Sequence, residues 1–172
     1  MKAVFTINRL FLAVLAALLI NGSAFAFAEL DGTRTTIEDN VGKGKWTVAE
    51  IWSYTCHNCH EHMPSMVKFD GKMENTRLIG IAIDGSDKTG VKRAKSMIEK
   101  HDISFKSITS NPIEMNDWIL SNLNEPGTPA EEVRRLRGTP TFMIFNPEGE
   151  VVAFQPGLVS TVDMEKFIKS RM

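Results

Sequence analysis

Cys56 and Cys59 are the only two cysteines in the chain, and they stand where an apolar segment gives way to a helical one. The segment before them, WTVAEIW at positions 46–52, is rich in β-formers and reads as a buried strand. After Cys56, the residues Met63, Met66, Val67 and Phe69 fall on one face of a helix spanning about 56–75, with Gly71 its weak point. A helix that starts at Cys56 turns its free N–H groups and partial positive charge toward the first thiol, which favours the thiolate. Cys59 lies about one turn along and can attack a mixed disulfide formed on Cys56. A disulfide that closes so short a loop removes little chain entropy, so a structural staple is a poor reason for the pair. Strand, dithiol and helix in this order demand an α/β layout and point to redox chemistry.

The rest of the chain continues the alternation. Residues 78–83 (LIGIAI) are a second apolar strand, closed by Asp84-Gly85. Residues 89–101 carry Val91, Ala94, Met97 and Ile98 on one helical side, and 103–108 predict a third strand. Residues 111–127 predict a short helix around Trp118, Ile119, Leu120 and Leu123. A further helix is expected over 129–136, with Pro129 in its first turn. Residues 141–145 and 151–154 flank Asn146-Pro147-Glu148-Gly149 as a hairpin, and 161–168 close the chain with an amphipathic helix. Residues 29–44 are polar and Gly-punctuated, a lead-in with little core. The order β-α-β-α-β-α-β-β-α predicts a central sheet between helices.

Residues 1–28 fall outside this pattern. Lys2 and Arg9 precede an unbroken apolar run over 10–20, followed by Asn21-Gly22-Ser23 and two overlapping A-x-A sites, Ala24-Phe25-Ala26 and Ala26-Phe27-Ala28. This is the layout of a cleaved signal peptide. The run is short for a membrane span, and no cysteine sits at the exit to carry a lipid. Removal of 1–28 takes away two basic residues and leaves 18 Lys+Arg against 21 Asp+Glu, a net charge of −3. That balance gives no electrostatic basis for nucleic-acid binding. Export places the domain at 29–172 where disulfides form and persist.

Two features accompany the dithiol. Glu50 is the one carboxylate in the apolar strand, six residues before Cys56. Burial there would raise its pKa and let it pass a proton to or from Cys59; an edge position facing water is the other reading. Pro140, in Arg137-Gly138-Thr139-Pro140-Thr141, opens the hairpin's first strand. A cis bond there would leave the Thr139 backbone free to pair with an extended peptide, whereas a trans proline would merely start the strand.

Together these stretches resemble the thioredoxin fold over most of residues 29–172. Ile51 to Cys59 (IWSYTCHNC) is similar to that family's strand and C-x-x-C helix start, and Glu50 stands at its buried acid, which is Asp in thioredoxin and Glu in protein disulfide isomerases. Gly138-Thr139-Pro140-Thr141-Phe142 resembles the cis-Pro loop, and Glu148-Gly149-Glu150-Val151 with Gly157 the hairpin after it. Val41-Gly42-Lys43-Gly44-Lys45-Trp46 and the Pro64 that follows Cys59-His60-Glu61-His62-Met63 are similar to the extracytoplasmic TlpA/ResA-like group. Departures are Thr55 for the usual Trp, His62 for an acid two before the helix proline, Glu50 where the group commonly has Asn, and an extra element at about 111–127 before the last core helix on the cis-Pro side.

The resemblance implies a mixed sheet flanked by helices and a periplasmic thiol-disulfide oxidoreductase without cofactor or metal. It implies Cys56 as nucleophile, Cys59 as resolving thiol and Glu50 as proton carrier. Thr139 and Pro140 would dock the substrate backbone, with Tyr54, Thr55 and His57 on the rim. It further implies a reductase acting on exported proteins with cysteines, apocytochrome c among them, and recharged by a membrane thiol-transfer protein. An oxidase or isomerase would use the same residues with a different redox poise.

Other chemistry is formally available. Cys56-His57-Asn58-Cys59-His60 matches C-x-x-C-H, the attachment pattern of c-type haem. His57, His60 and His62 crowd the two cysteines as a copper or zinc carrier's ligands would, but 60 and 62 point to different sides of a helix and read as solvated. A protonated His57 would stabilise the neighbouring thiolate. The methionines read as core fillers, Asp84-Gly85-Ser86-Asp87 as a turn, and Arg134, Arg135 and Arg137 as a solvated helix face. Gly42-Lys43-Gly44-Lys45 makes no phosphate loop. Trp118 either anchors its helix in the core or lines a partner groove.

Overall fold

The structure, a computed structural model, describes residues 27–172. The apolar run expected as a signal peptide lies outside the described residues. The elements are β1 (Phe27–Glu29), β2 (Arg34–Thr35), β3 (Trp46–Trp52), α1 (His57–Phe69), β4 (Thr76–Ala82), α2 (Lys88–His101), β5 (Lys106–Thr109), α3 (Pro112–Asn122), β6 (Thr141–Phe145), β7 (Val151–Pro156) and α4 (Thr161–Lys169). They form one sheet in the order β2-β1-β5-β4-β3-β6-β7. β3 runs parallel to β4 and β4 to β5, while β6 is antiparallel to β3 and to β7. This is the expected mixed sheet flanked by helices.

Every residue of β3 is buried, because helices cover both faces of the sheet. Side chains alternate along a strand, so Trp46, Val48 and Trp52 share a core with Cys59, Met63 and Met66 of α1. Ala49 and Ile51 face the other way, against Met115, Trp118 and Ile119 of α3. Full burial of a side chain such as Trp52 or Met63 contributes about 1.5–3 kcal/mol each. Six methionines, 63, 66, 97, 115, 143 and 164, are almost fully buried, as fillers should be.

Most boundaries follow from local chemistry. α1 ends at Phe69 rather than near 75, and Gly71 takes the positive φ of +73° that turns the chain out of the helix. α2 is capped by Asp87, whose carboxylate accepts from Gly90 N at 2.7 Å. α3 is capped by Asn111, whose Oδ1 accepts from Ile113 N and Glu114 N at 3.0 Å, with Pro112 in its first turn. The third core strand covers Lys106–Thr109 rather than starting at 103; Ile103 and Phe105 are buried just ahead of it.

The helix expected over 129–136 does not form. One turn closes, with Glu132 N and Val133 N both donating to the Pro129 carbonyl at 2.9 and 3.1 Å. The following amides are then taken by side chains from elsewhere. Asn124 accepts from Arg134 N at 2.6 Å and donates to Arg134 O at 2.9 Å, and Asn116 accepts from Leu136 N at 3.0 Å. These bonds replace the helical ladder on the way to β6. Arg134 is therefore on no helix face; its guanidinium donates to the Leu123 carbonyl at 2.7 Å. Among the described residues, the segment expected as an added element, 111–127, holds the one helix between β5 and β6.

The lead-in also carries more core than its polarity predicts. β1 pairs with β5, and Phe27, Ile37 and Val41 are buried. Trp118 is the anchor of α3 in this layer: it is 4 % exposed, and its Nε1 donates to Glu38 of the lead-in at 3.0 Å. The turn at 42–45 docks on the hairpin turn of β6 and β7, where Gly44 N donates to Pro147 O at 3.0 Å. Gly42 has φ +67°, and a Cβ there would stand 2.6 Å from Gly149 N, so the close approach of the two turns requires glycine.

Candidate active site

The dithiol sits where β3 feeds α1. Cys56 is the N-cap of α1, and its sulfur accepts from Cys59 N at 3.1 Å. The two cysteines are joined as a disulfide with Cα atoms 5.3 Å apart. Cys56 is half-buried and Cys59 fully buried, so attack from outside reaches Cys56. The helix N-terminus gives Cys56 the amide dipoles that lower a thiol's pKa.

Glu50 is fully buried, which removes the edge reading. By parity with Val48 and Trp52 it lies on the sheet face that Cys59 packs against. Its register partners are Gly80 on β4 and Phe142 on β6. Gly80 leaves room there for the Trp52 indole, whose Nε1 lies 2.6 Å from where a Cβ would be. Neither carboxyl oxygen of Glu50 has a hydrogen-bond partner. Burial without a counter-charge pushes its pKa up to about 8. Glu50 is therefore a neutral acid at neutral pH, with a proton affinity close to that of an ordinary thiol.

Thr139-Pro140 is a cis peptide bond. Thr141 pairs with Ile51, so Pro140 continues the register beside Trp52, at the end of the sheet from which the chain runs to Cys56. The Pro140 carbonyl accepts from Gly157 N at 2.9 Å and ties this loop to the end of β7. Tyr54, Thr55 and His57, next to Cys56 in the chain, are exposed. His57 pairs with Glu61 at 3.2 Å on the surface.

The three histidines near the dithiol do not converge, and among the described residues no group of three His, Cys, Asp or Glu is arranged to hold a metal ion. His60 and His62 are not the solvated residues they were expected to be. The His60 ring bonds His101 of α2 at 2.7 Å and the Tyr54 carbonyl at 2.8 Å. His62 is half-buried, packs edge-on against Phe142 with centroids 5.4 Å apart, and is held below the usual imidazole range by burial.

Asp84 is a site residue that sequence alone placed only in a turn. Its carboxylate accepts from Ser53 Oγ at 3.0 Å and from Tyr54 N at 2.7 Å. It thus fixes the loop between β3 and Cys56 from the end of β4. The one local signal was Asp-Gly closing an apolar strand.

No family model matches the sequence, and no curated protein matches it. Solved structures do. The thioredoxin domain of a thiol-disulfide oxidoreductase from Bacteroides vulgatus shares 18 % identity over 84 % of this chain and 89 % of that one, with a TM-score of 0.59. A thioredoxin-family thiol:disulfide interchange protein from Chlorobium tepidum TLS shares 18 % over 83 % and 89 %, TM-score 0.60. A secreted disulfide oxidoreductase of Mycobacterium tuberculosis, homologous to E. coli DsbE, shares 18 % over 86 % and 96 %, TM-score 0.57. The chain has the thioredoxin fold of these proteins, with a C-x-x-C pair at disulfide distance.

Proposed function

We propose that this chain is an extracytoplasmic thiol-disulfide oxidoreductase that reduces exported proteins. The observation that carries this reading is the accessible N-cap sulfur of Cys56 linked to the buried sulfur of Cys59. The Cys56 thiolate attacks one sulfur of a client disulfide, and the other client sulfur leaves as a thiolate. Glu50 in its ionised form, available because its pKa lies close to neutral pH, takes the proton of Cys59, and the Cys59 thiolate attacks the Cys56 sulfur. The client leaves as a dithiol that carries the two electrons given up by Cys56 and Cys59, its thiolates taking protons from Glu50 and water, and the enzyme is left as the Cys56–Cys59 disulfide. Thr139 and Pro140 receive the client backbone beside the dithiol, and Tyr54, Thr55 and His57 border it. A membrane thiol-transfer protein returns two electrons. The similar structures include a thiol-disulfide oxidoreductase and a secreted disulfide oxidoreductase, which supports the chemistry and the location.

The direction is tested by the reduction potential of the dithiol. A reductase should equilibrate near thioredoxin, about −270 mV; a value near about −120 mV would make the chain an oxidase.

The mature chain is proposed to begin at Phe27. Phe27 is buried in β1 and pairs with Thr35 of β2. Cleavage after Ala26 keeps Phe27 to Glu29, whereas cleavage after Ala28 removes Phe27 and Ala28, the two buried residues of that strand. Mass spectrometry of the exported protein should give the mass of a chain starting at Phe27; the mass of a chain starting at Glu29 would refute it.

A further inference from the structure

The Tyr54 peptide, two residues before Cys56, is held on both sides. Its N–H donates to Asp84 at 2.7 Å and its carbonyl lies 2.8 Å from His60 Nε2. A carbonyl only accepts, so His60 carries a proton on Nε2. His60 Nδ1 and His101 Nε2, 2.7 Å apart, then share one proton between them. The hydrogen bond exists while the pair holds at most one positive charge. A second proton puts N–H against N–H and opens it.

The bonds that follow depend on this loop. Cys56 N donates to Ser53 O at 3.0 Å, and Thr55 N to Ser53 Oγ at 3.3 Å. They set the turn from which α1 and its thiol-facing amides begin. We propose that His60 is a positioning residue for Cys56: with His101 it locks the Tyr54 carbonyl, and the lock opens when the pair takes up a second proton. The consequence for catalysis rests on the oxidoreductase reading; the lock itself does not. The charged and titratable groups to be reckoned with are Lys100 and Asp102, which act on His101, His57 and Glu61, which pair with each other on α1, and Asp84 at Tyr54 N. Burial and the neighbouring His60 both hold His101 below the usual imidazole range, so opening belongs to acid conditions.

The test uses the oxidised full-length mature protein and three variants. Gln places its side-chain N–H₂ where His60 Nε2 stands, so His60→Gln keeps the bond to Tyr54 and loses the shared proton. His60→Ala loses both, and His101→Phe removes the partner. Side-chain nitrogen NMR at pH 7.5 should show a proton on His60 Nε2. Amide exchange at Tyr54, Thr55 and Cys56, corrected for intrinsic rates, should quicken at least tenfold in His60→Ala and less than threefold in His60→Gln. On going to pH 5 it should quicken in the wild type but in neither His60→Gln nor His101→Phe. After reduction, alkylation of Cys56 at pH 6 should slow at least threefold in His60→Ala and recover in His60→Gln. A His60 protonated only on Nδ1, or unchanged exchange in His60→Ala, overturns the proposal. Exchange and tautomer do not depend on turnover, so their failure is separate from a failure of the oxidoreductase reading.

Discussion

Cys59→Ser should accumulate covalent complexes with exported proteins, while Cys56→Ser should accumulate none. The asymmetry follows from exposure: Cys56 is reachable at the helix N-cap, and Cys59 is fully buried behind it. Without Cys59 the mixed disulfide on Cys56 has no internal thiolate to resolve it. Each variant should lose turnover by at least about a thousandfold, about 4 kcal/mol of barrier. Non-reducing gels of cells exporting each variant read the result directly. Equal trapping by the two variants would overturn the assignment of nucleophile and resolving thiol.

Glu50→Gln should make stability less dependent on pH and exchange slower. The folded pKa of Glu50 is raised from 4.5 to about 8 by burial. The native state therefore keeps a proton that the unfolded chain releases between those values. Stability is full below about 4.5, falls as pH rises toward 8, and levels off above it. The full loss is on the order of 5 kcal/mol by linkage. Gln, which cannot ionise, abolishes that slope, so the variant should match the wild type near pH 5 and exceed it near pH 9. The same change removes the acceptor for the Cys59 proton, and disulfide exchange should slow by about a hundredfold. Denaturant melts and reduction rates across pH test both. Parallel stability curves and unchanged rates would make Glu50 a bystander to the dithiol.

The elements legible in the sequence were those whose signal is local. WTVAEIW had to be a covered strand because its β-formers leave no polar face, and it is buried throughout. The hairpin at Asn146-Pro147-Glu148-Gly149 and the caps Asp87 and Asn111 also act within a few residues. The 129–136 segment went the other way: its helical composition was overridden by Asn124 and Asn116, whose side chains bond its backbone from 10 and 20 residues away. The lead-in hid its core contribution for a similar reason. Ile37 and Val41 are isolated apolar residues in a polar stretch, and only the back face of the sheet makes them core.

The site divides along the same line. Sequence by itself determined the dithiol, its place at a helix start, and the presence of one carboxylate in an apolar strand, because spacing and composition carry those facts. Tertiary structure decided that Glu50 is a neutral acid, since β4 and β6 must close over it before water is excluded. It also decided the lock on Tyr54. Asp84 lies 30 residues from Tyr54, and His101 lies 41 from His60. Parallel pairing of β3 with β4 and the packing of α2 beside α1 bring them together, and periodicity along the chain holds no record of such pairings.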